Sequence, residues 1–184
     1  MNIKSAEHAK SRFNCSKGGK VMDRLKAAGI AFLHPGLVEK CDFTGALKRT
    51  NFEVEAKRKW PQVLKNRSLS LVFLDLDNLK EVNDSQGHKA GDQYLKDFAQ
   101  VVLAGIRSTD IFGRWGGDEF ILLLFRVDST EAERIIRRIH DRFPRFSWGI
   151  IDVSSGDTFE KIVERADTTM YQHKKSKKSS RAEV

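Results

Sequence analysis

Arg114-Trp115-Gly116-Gly117-Asp118-Glu119-Phe120 lies between Ile111-Phe112 and Ile121-Leu122-Leu123-Leu124-Phe125. Two β-prone runs joined by Gly-Gly predict a tight hairpin whose two turn positions take φ > 0. Two carboxylates, Asp118 and Glu119, follow the turn directly. Gly116 and Gly117 carry no side chains, so a large polar ligand can come close to this backbone. The adjacent acids can hold a divalent cation against such a ligand's phosphates. An ordinary hairpin with solvated acids at its tip is the plain alternative.

Upstream, Leu69-Ser70-Leu71-Val72-Phe73-Leu74-Asp75-Leu76-Asp77 reads as a buried central strand. Asp75 and Asp77 are two apart and so share one face of that strand. They stand at its C-terminal end, where open α/β sheets bind ligands. A buried aspartate is costly unless paired or bound to a cation, so at least one is expected to hold a metal; helix capping competes. The short helical turn Asn78–Asp84 places Lys80 near any anion at the strand end. Gly87-His88-Lys89-Ala90-Gly91-Asp92 opens a helix whose core stripe is Tyr94, Leu95, Phe98, Val101, Val102 and Ile106. His88 is expected to be packed and hydrogen-bonded. Asn83 offers a donor and an acceptor, and Asp92 accepts from two N–H groups; both can read a base edge. Their ordinary roles would be turn residue and helix-start carboxylate.

A helix is predicted from about Thr44 towards Asn66, with Phe52, Val54, Ala56 and Trp60 as its packed face and Pro61 ending it early. After the hairpin, Asp128-Ser129-Thr130-Glu131 and Asp157-Thr158-Phe159-Glu160 show helix-capping spacing. Phe146–Ile151 reads as a strand between those helices. The last helix buries Ile162, Val163, Ala166 and Met170 and ends in Lys174, Lys175, Lys177, Lys178 and Arg181. From Leu69 onward the order is β-α-α-β-β-α-β-α. That pattern predicts an α+β sandwich, a mostly antiparallel sheet covered by helices.

The chain has 184 residues, 40% apolar and 32% charged, which suits one globular domain plus an appendage. No run of about 18 apolar residues offers a membrane span. Met1–Ser5 lacks the apolar core of a secretion signal, and Cys15 and Cys41 form no metal or disulfide pattern. Both features point to a reducing cytoplasm. A net charge of +8 favours anionic partners without choosing among them. Residues 1–40 carry no chemical motif and read as a docking, dimerising or regulatory segment; 41–178 form the domain, and 179–184 a basic tail.

Asp75-Leu76-Asp77-x-x-Lys80-x-x-Asn83-Asp84, Gly87-His88-x-x-Gly91-Asp92, Gly116-Gly117-Asp118-Glu119-Phe120 and Ala166-Asp167-x-x-Met170-Tyr171-x-x-Lys174 together resemble the GGDEF family of diguanylate cyclases. The resemblance covers about residues 41–178. It implies a ferredoxin-like core similar to the palm of nucleotide cyclases and polymerases. It also implies condensation of two GTP into cyclic di-GMP with loss of two pyrophosphates. Carried over residue by residue, Asp75, Asp118 and the Leu76 carbonyl would hold Mg²⁺, with Mn²⁺ as the alternative ion. Glu119 would support the metal or activate the 3′-hydroxyl. Asn83 and Asp92 would read guanine; Lys80, Lys174 and Lys178 would meet the triphosphate; Gly116 and Gly117 would let the nucleotide lie on the hairpin.

Since one domain holds one GTP, the resemblance implies a homodimer, stable or transient. Arg107-Ser108-Thr109-Asp110 matches the family's RxxD inhibitory site, where Arg107 would hold product phosphate or guanine and Asp110 would accept guanine N–H groups. The family's opening D-x-L-T-G pattern is altered here. Cys41 stands at the expected aspartate and Lys48 replaces an asparagine. The span from Phe120 to Ser147 is short for the family, so a peripheral hairpin is expected to be missing. Lys178 replaces an arginine and brings charge without a bidentate fork. A silent receptor for cyclic di-GMP is the runner-up function. An RNA-binding domain ranks last, because acids at the central strand's end repel a nucleic-acid backbone; no nucleic-acid partner is expected.

Overall fold

The fold was analysed in a computed structural model that describes residues 42–63 and 68–182. Residues 1–40, and with them the expectation of an N-terminal docking or regulatory segment, lie outside the described residues. The elements are β1 (Leu47–Lys48), α1 (Arg49–Val63), β2 (Leu69–Leu76), α2 (Leu79–Gln86), α3 (His88–Gly105), β3 (Ile111–Arg114), β4 (Glu119–Phe125), α4 (Ser129–His140), β5 (Phe146–Asp152) and α5 (Phe159–Ala182). From β2 onward this is the predicted order.

The strands form one five-stranded sheet in the order β1-β3-β4-β2-β5. Only the β1–β3 pair is parallel; β3–β4, β4–β2 and β2–β5 are antiparallel. The expected mostly antiparallel α+β sandwich is what forms. β2 is central and buried along its whole length, as its apolar run requires. The two-residue β1 has no periodicity to betray it, and sequence reading missed it.

Side chains alternate across the sheet. Val72, Leu74, Leu76, Phe120, Leu122 and Leu124 face α3 and α4, meeting Leu95, Phe98, Val102, Ile136 and Ile139. Leu69, Leu71, Phe73, Ile121 and Leu123 face α1 and α5, meeting Phe52, Ile162, Ala166 and Met170. The stripes expected on α3 and α5 are thus the core. On α1, Phe52 and Ala56 are buried, but Val54 is 59% exposed and does not belong to the packed face; the Trp60 side chain lies outside the described residues. That helix begins at Arg49, not Thr44, and runs on through Pro61.

Capping follows the sequence at α4, where the Asp128 carboxylate accepts the Glu131 N–H at 2.9 Å. At α5 the Thr158 hydroxyl takes the Lys161 N–H, while Asp157 accepts from Ser154 instead. No hairpin intervenes between α4 and β5 among the described residues. That agrees with the shortness of this span in the sequence.

α5 closes over the edge strand β5 at Gly149. A Cβ there would lie 2.2 Å from the Ala166 carbonyl and 2.3 Å from the Met170 nitrogen. Only glycine allows this approach. Farther along, the Trp148 N–H donates to His173 Nδ1 at 3.1 Å, and Lys177 Nζ donates to the Phe146 carbonyl at 2.8 Å. Two outward backbone groups of an edge strand are thereby satisfied by one helix, which also blocks edge pairing.

Trp148 lies between His173 and His140, at ring separations of 4.2 and 5.2 Å. His140 Nε2 is buried without a partner. Burial first, and the Lys177 ammonium second, hold both histidines below the ordinary histidine pKa. In the unfolded chain they titrate near about 6.5. Their contribution to stability is therefore complete above that value and lost as the pH falls through the folded-state values. Urea midpoints should drop between pH 8 and pH 5.5, and His140→Phe should flatten the drop. A midpoint that depends on pH identically in both proteins would contradict this.

Candidate functional site

Four segments meet at the C-terminal end of β2: the Gly-Gly loop, the start of α2, the turn after β2 and the last turns of α5. In the antiparallel β2–β4 register, Asp75 stands directly across from Glu119. Alternation puts both on the α1/α5 face, in line with Phe73 and Ile121. Like charges directly opposite one another destabilise a sheet. The counter-charge comes from α5, where Lys174 Nζ lies 2.5 Å from Asp75 Oδ1.

Asp75 is only 7% exposed. Burial pushes its carboxyl upward, Lys174 pulls it back, and Asp118 and Asp77 push it up again. Glu119 is raised by burial first and then by Asp118, Asp167 and Asp75. Asp118 thus sits close enough to act on both. Its backbone carbonyl accepts the Leu76 N–H at 2.9 Å, which stitches the loop to the end of the central strand. The Asp118 side chain lines an open cleft of about 250 Å³ with Leu76, Asp77, Lys80, Ser147, Lys174 and Lys177.

Asp77 lies past the end of β2, in a turn, so the two aspartates do not share a strand face as predicted. It is held by Lys177 Nζ at 3.0 Å and by the Ser147 hydroxyl at 3.3 Å. Asn78, next in the chain, takes a left-handed conformation (φ 64°, ψ 17°) and opens α2 without a side-chain cap. Strained backbone of this kind persists where its surroundings fix it, commonly beside a ligand site. The first N–H groups of a helix have no intrahelical partner. Those of α2 begin at the cleft.

Asn83 lies where α2 and α3 touch, against the residue before Asp92. The Asn83 side chain rests on Gly91, whose missing Cβ would otherwise lie 1.9 Å from Asn83 Oδ1. Asp92 follows, exposed, just past the first turn of α3. Lys80 is exposed beside the cleft. Among the described residues, no three His, Cys, Asp or Glu side chains converge on one point. The Asp75 and Asp118 carboxylates and the Leu76 carbonyl are oxygens that could serve a cation at the strand end. These are hard oxygens of the kind Mg²⁺ accepts. A carboxylate raised first by burial and then by its acidic neighbours fits such an ion.

Residues 42–180 match the family described as "Diguanylate cyclase, GGDEF domain". The chain belongs to that family. It is 40% identical over 121 residues to diguanylate cyclase DgcS of Shewanella oneidensis, covering 61% of this chain and 41% of that protein. It is 34% identical over 119 residues to the cyclic di-GMP phosphodiesterase PdeR of Escherichia coli, covering 58% of this chain and 18% of that protein. The chain thus spans less than half the length of these curated relatives. The GGDEF domain of DgcB from Caulobacter crescentus, solved with c-di-GMP, superposes with a TM-score of 0.71 at 22% identity, covering 74% of this chain and 91% of that one. The GGDEF domain of PA1120 from Pseudomonas aeruginosa gives 0.69 at 29% identity, covering 74% and 89%. The first of these speaks to fold alone. Together they support the nucleotide-cyclase palm-like reading of the sheet.

Several expectations for this GGDEF domain need correction. Neither Gly116 nor Gly117 has positive φ; among the described residues only Gly45 and Gly87 do so as glycines. The connection is wider than a two-residue turn, because Trp115 and Gly116 N–H groups both donate to the Glu119 carbonyl, at 2.8 and 3.3 Å. Gly117 is nevertheless open: a Cβ there would meet nothing within 4 Å. His88 is exposed, not packed. Lys178 lies within α5, but its side chain is outside the described residues.

The two members of the RxxD pattern are placed differently from one another. Asp110 is 7% exposed, and its carboxylate oxygens accept the Arg107 N–H at 2.8 Å and the Phe125 N–H at 3.2 Å. It fastens the α3–β3 loop to the end of β4, and burial pushes its carboxyl up. Arg107 is the exposed member. The four residues of β3 separate this loop from the Gly-Gly loop.

Sequence reading gave Arg114 no role. Its guanidinium donates to the Gly117 carbonyl at 2.6 Å and to Asp42 Oδ2 at 3.3 Å. Asp42 in turn accepts from the backbone N–H and hydroxyl of Thr44. The altered domain entrance is therefore tied to the Gly-Gly loop through Asp42, although Cys41 replaces the expected acid. The arginine two residues before Gly116, in the quoted stretch itself, was the signal available.

Proposed function

We propose that this chain is a diguanylate cyclase, joining two GTP into cyclic di-GMP with release of two pyrophosphates. The observation that carries this reading is the acidic strand end bordered by lysines. Lys174 pairs with Asp75, Glu119 stands across the ladder from Asp75, and Asp118 and Lys80 line the cleft with Lys174. Asp75, Asp118 and the Leu76 carbonyl hold Mg²⁺ or Mn²⁺. When bound, the ion lowers the cost of forming the 3′-oxygen nucleophile and neutralises the departing pyrophosphate.

The chain's own residues do the rest by positioning. Lys80, Lys174 and Lys178 bind the triphosphate, with the start of α2 beneath it. Asn83 and Asp92 hydrogen-bond the guanine edge, and Gly116 and Gly117 let the nucleotide lie on the loop. Glu119, held above the ordinary carboxyl range, takes up the 3′-hydroxyl proton. In each half-reaction a 3′-oxygen bonds to the α-phosphorus of the other GTP and the bond to pyrophosphate breaks. Two such domains must face each other, so the active species is a homodimer. Residues 41–178 suffice for one half-site, and residues 1–40 serve docking or regulation.

Purified protein given GTP and Mg²⁺ should yield cyclic di-GMP, resolved by chromatography. Asp118→Ala removes about 3 kcal/mol of charge stabilisation and should slow formation by about a hundredfold or more. Equal rates would contradict the assignment. A silent receptor for cyclic di-GMP, the alternative reading, predicts product binding without turnover in the same assay.

Product inhibition rests on Arg107, since Asp110 is committed to its own backbone. Arg107→Ala should let product accumulate to a higher level before the reaction stalls. Accumulation unchanged from the parent protein would count against an inhibitory site there.

A further inference from the structure

Lys177 stands on α5 where the motif carried over from the family gave no functional residue. It is one turn after His173 and three residues after Lys174. Its side chain is 22% exposed, that of Asp77 12%. Lys177 Nζ binds Asp77 Oδ2 at 3.0 Å and the Phe146 carbonyl at 2.8 Å, and the Ser147 hydroxyl fixes the other Asp77 oxygen at 3.3 Å. Both partners line the same cleft as Asp118 and Lys174. Asp77 also adds to the negative field that raises Asp75. Left unpaired, it would repel any polyphosphate entering the cleft and would compete with Asp75 for a cation.

We propose that Lys177 is a positioning residue that neutralises Asp77, so that the cleft accepts a nucleoside triphosphate and leaves Asp75 and Asp118 as its cation-binding pair. The inference rests on the nucleotide reading given above. Two of the three Lys177 N–H donors are directed at the protein and not at the cleft's contents. Its ammonium is already engaged by a carboxylate and a backbone carbonyl, both anchored on the β2–β5 end of the sheet. Lys174 and Lys80 remain the lysines that face the phosphates. The role is electrostatic, so it depends on the Lys177–Asp77 pair and not on Lys177 alone.

The test is a binding titration with 3′-deoxy-GTP and Mg²⁺, a probe that lacks the 3′-hydroxyl and cannot condense. Far-UV circular dichroism and a melting curve accompany each variant. Lys177→Met should weaken binding by about tenfold, the scale of one uncompensated charge in a partly solvated cleft. Lys177→Arg should bind within about twofold of the parent. The double variant Lys177→Met/Asp77→Asn should recover binding to within about threefold, because the repelling carboxylate is gone. A double variant as weak as Lys177→Met would overturn the proposal, since Lys177 would then act on the ligand directly or on the fold. Lys177→Met binding like the parent would overturn it as well. Failure of the parent protein to bind the probe would overturn the nucleotide reading itself, and this inference with it.

Discussion

An aspartate buried at the end of a central strand is the constraint on which this structure turns. Asp75 is surrounded by acids on three sides: Glu119 across the ladder, Asp118 in the adjoining loop and Asp77 in the following turn. A buried carboxylate in such company is tolerated only if cations reach it. The fold brings them from a single element. α5 crosses the sheet at Gly149 with backbone touching backbone, which carries Lys174 to Asp75 and Lys177 to Asp77. The closeness of that crossing sets the reach of both lysines.

The rest of the site follows from the topology. Because β2 is central and antiparallel to β4, its C-terminal end meets the start of β4, and the Gly-Gly loop arrives beside Asp75. Because α2 and α3 meet at Gly91, Asn83 and Asp92 are held on adjoining turns. Arg114 clamps the loop and ties it to Asp42 at the domain entrance. The Asp42–Arg114 pair is largely shielded from solvent, so it constrains the loop more than an exposed pair would.

Much of this could be read from the chain. The apolar run of β2, the 3.6-residue stripes of α3 and α5 and the Asp128 cap each have a local cause, and each forms as expected. Four spaced motifs located the acids, the glycines and Lys174 before any coordinate. What escaped depends on distant partners. β1 is two residues long and exists only because it pairs with β3. Lys177 looked like one member of a solvated basic tail, yet it turns inward because Asp77 and Phe146 await it on another element. Asp110 matched a binding pattern but is used internally by the backbone N–H groups of Arg107 and, 15 residues away, Phe125. The Gly-Gly loop is wider than a two-residue turn because one carbonyl, that of Glu119, receives two N–H groups. Local sequence cannot announce that arrangement.

The proposed function requires Asp75 and Asp118 to hold a divalent ion jointly beneath a nucleotide's phosphates. Its most direct test is a crystal structure of the protein grown with Mn²⁺ and 3′-deoxy-GTP, with the ion located by anomalous scattering. One Mn²⁺ peak is expected, ligated by both carboxylates and by phosphate oxygens, with the base between Asn83 and Asp92. Manganese bound away from either aspartate, or nucleotide seated on another part of the surface, would contradict it.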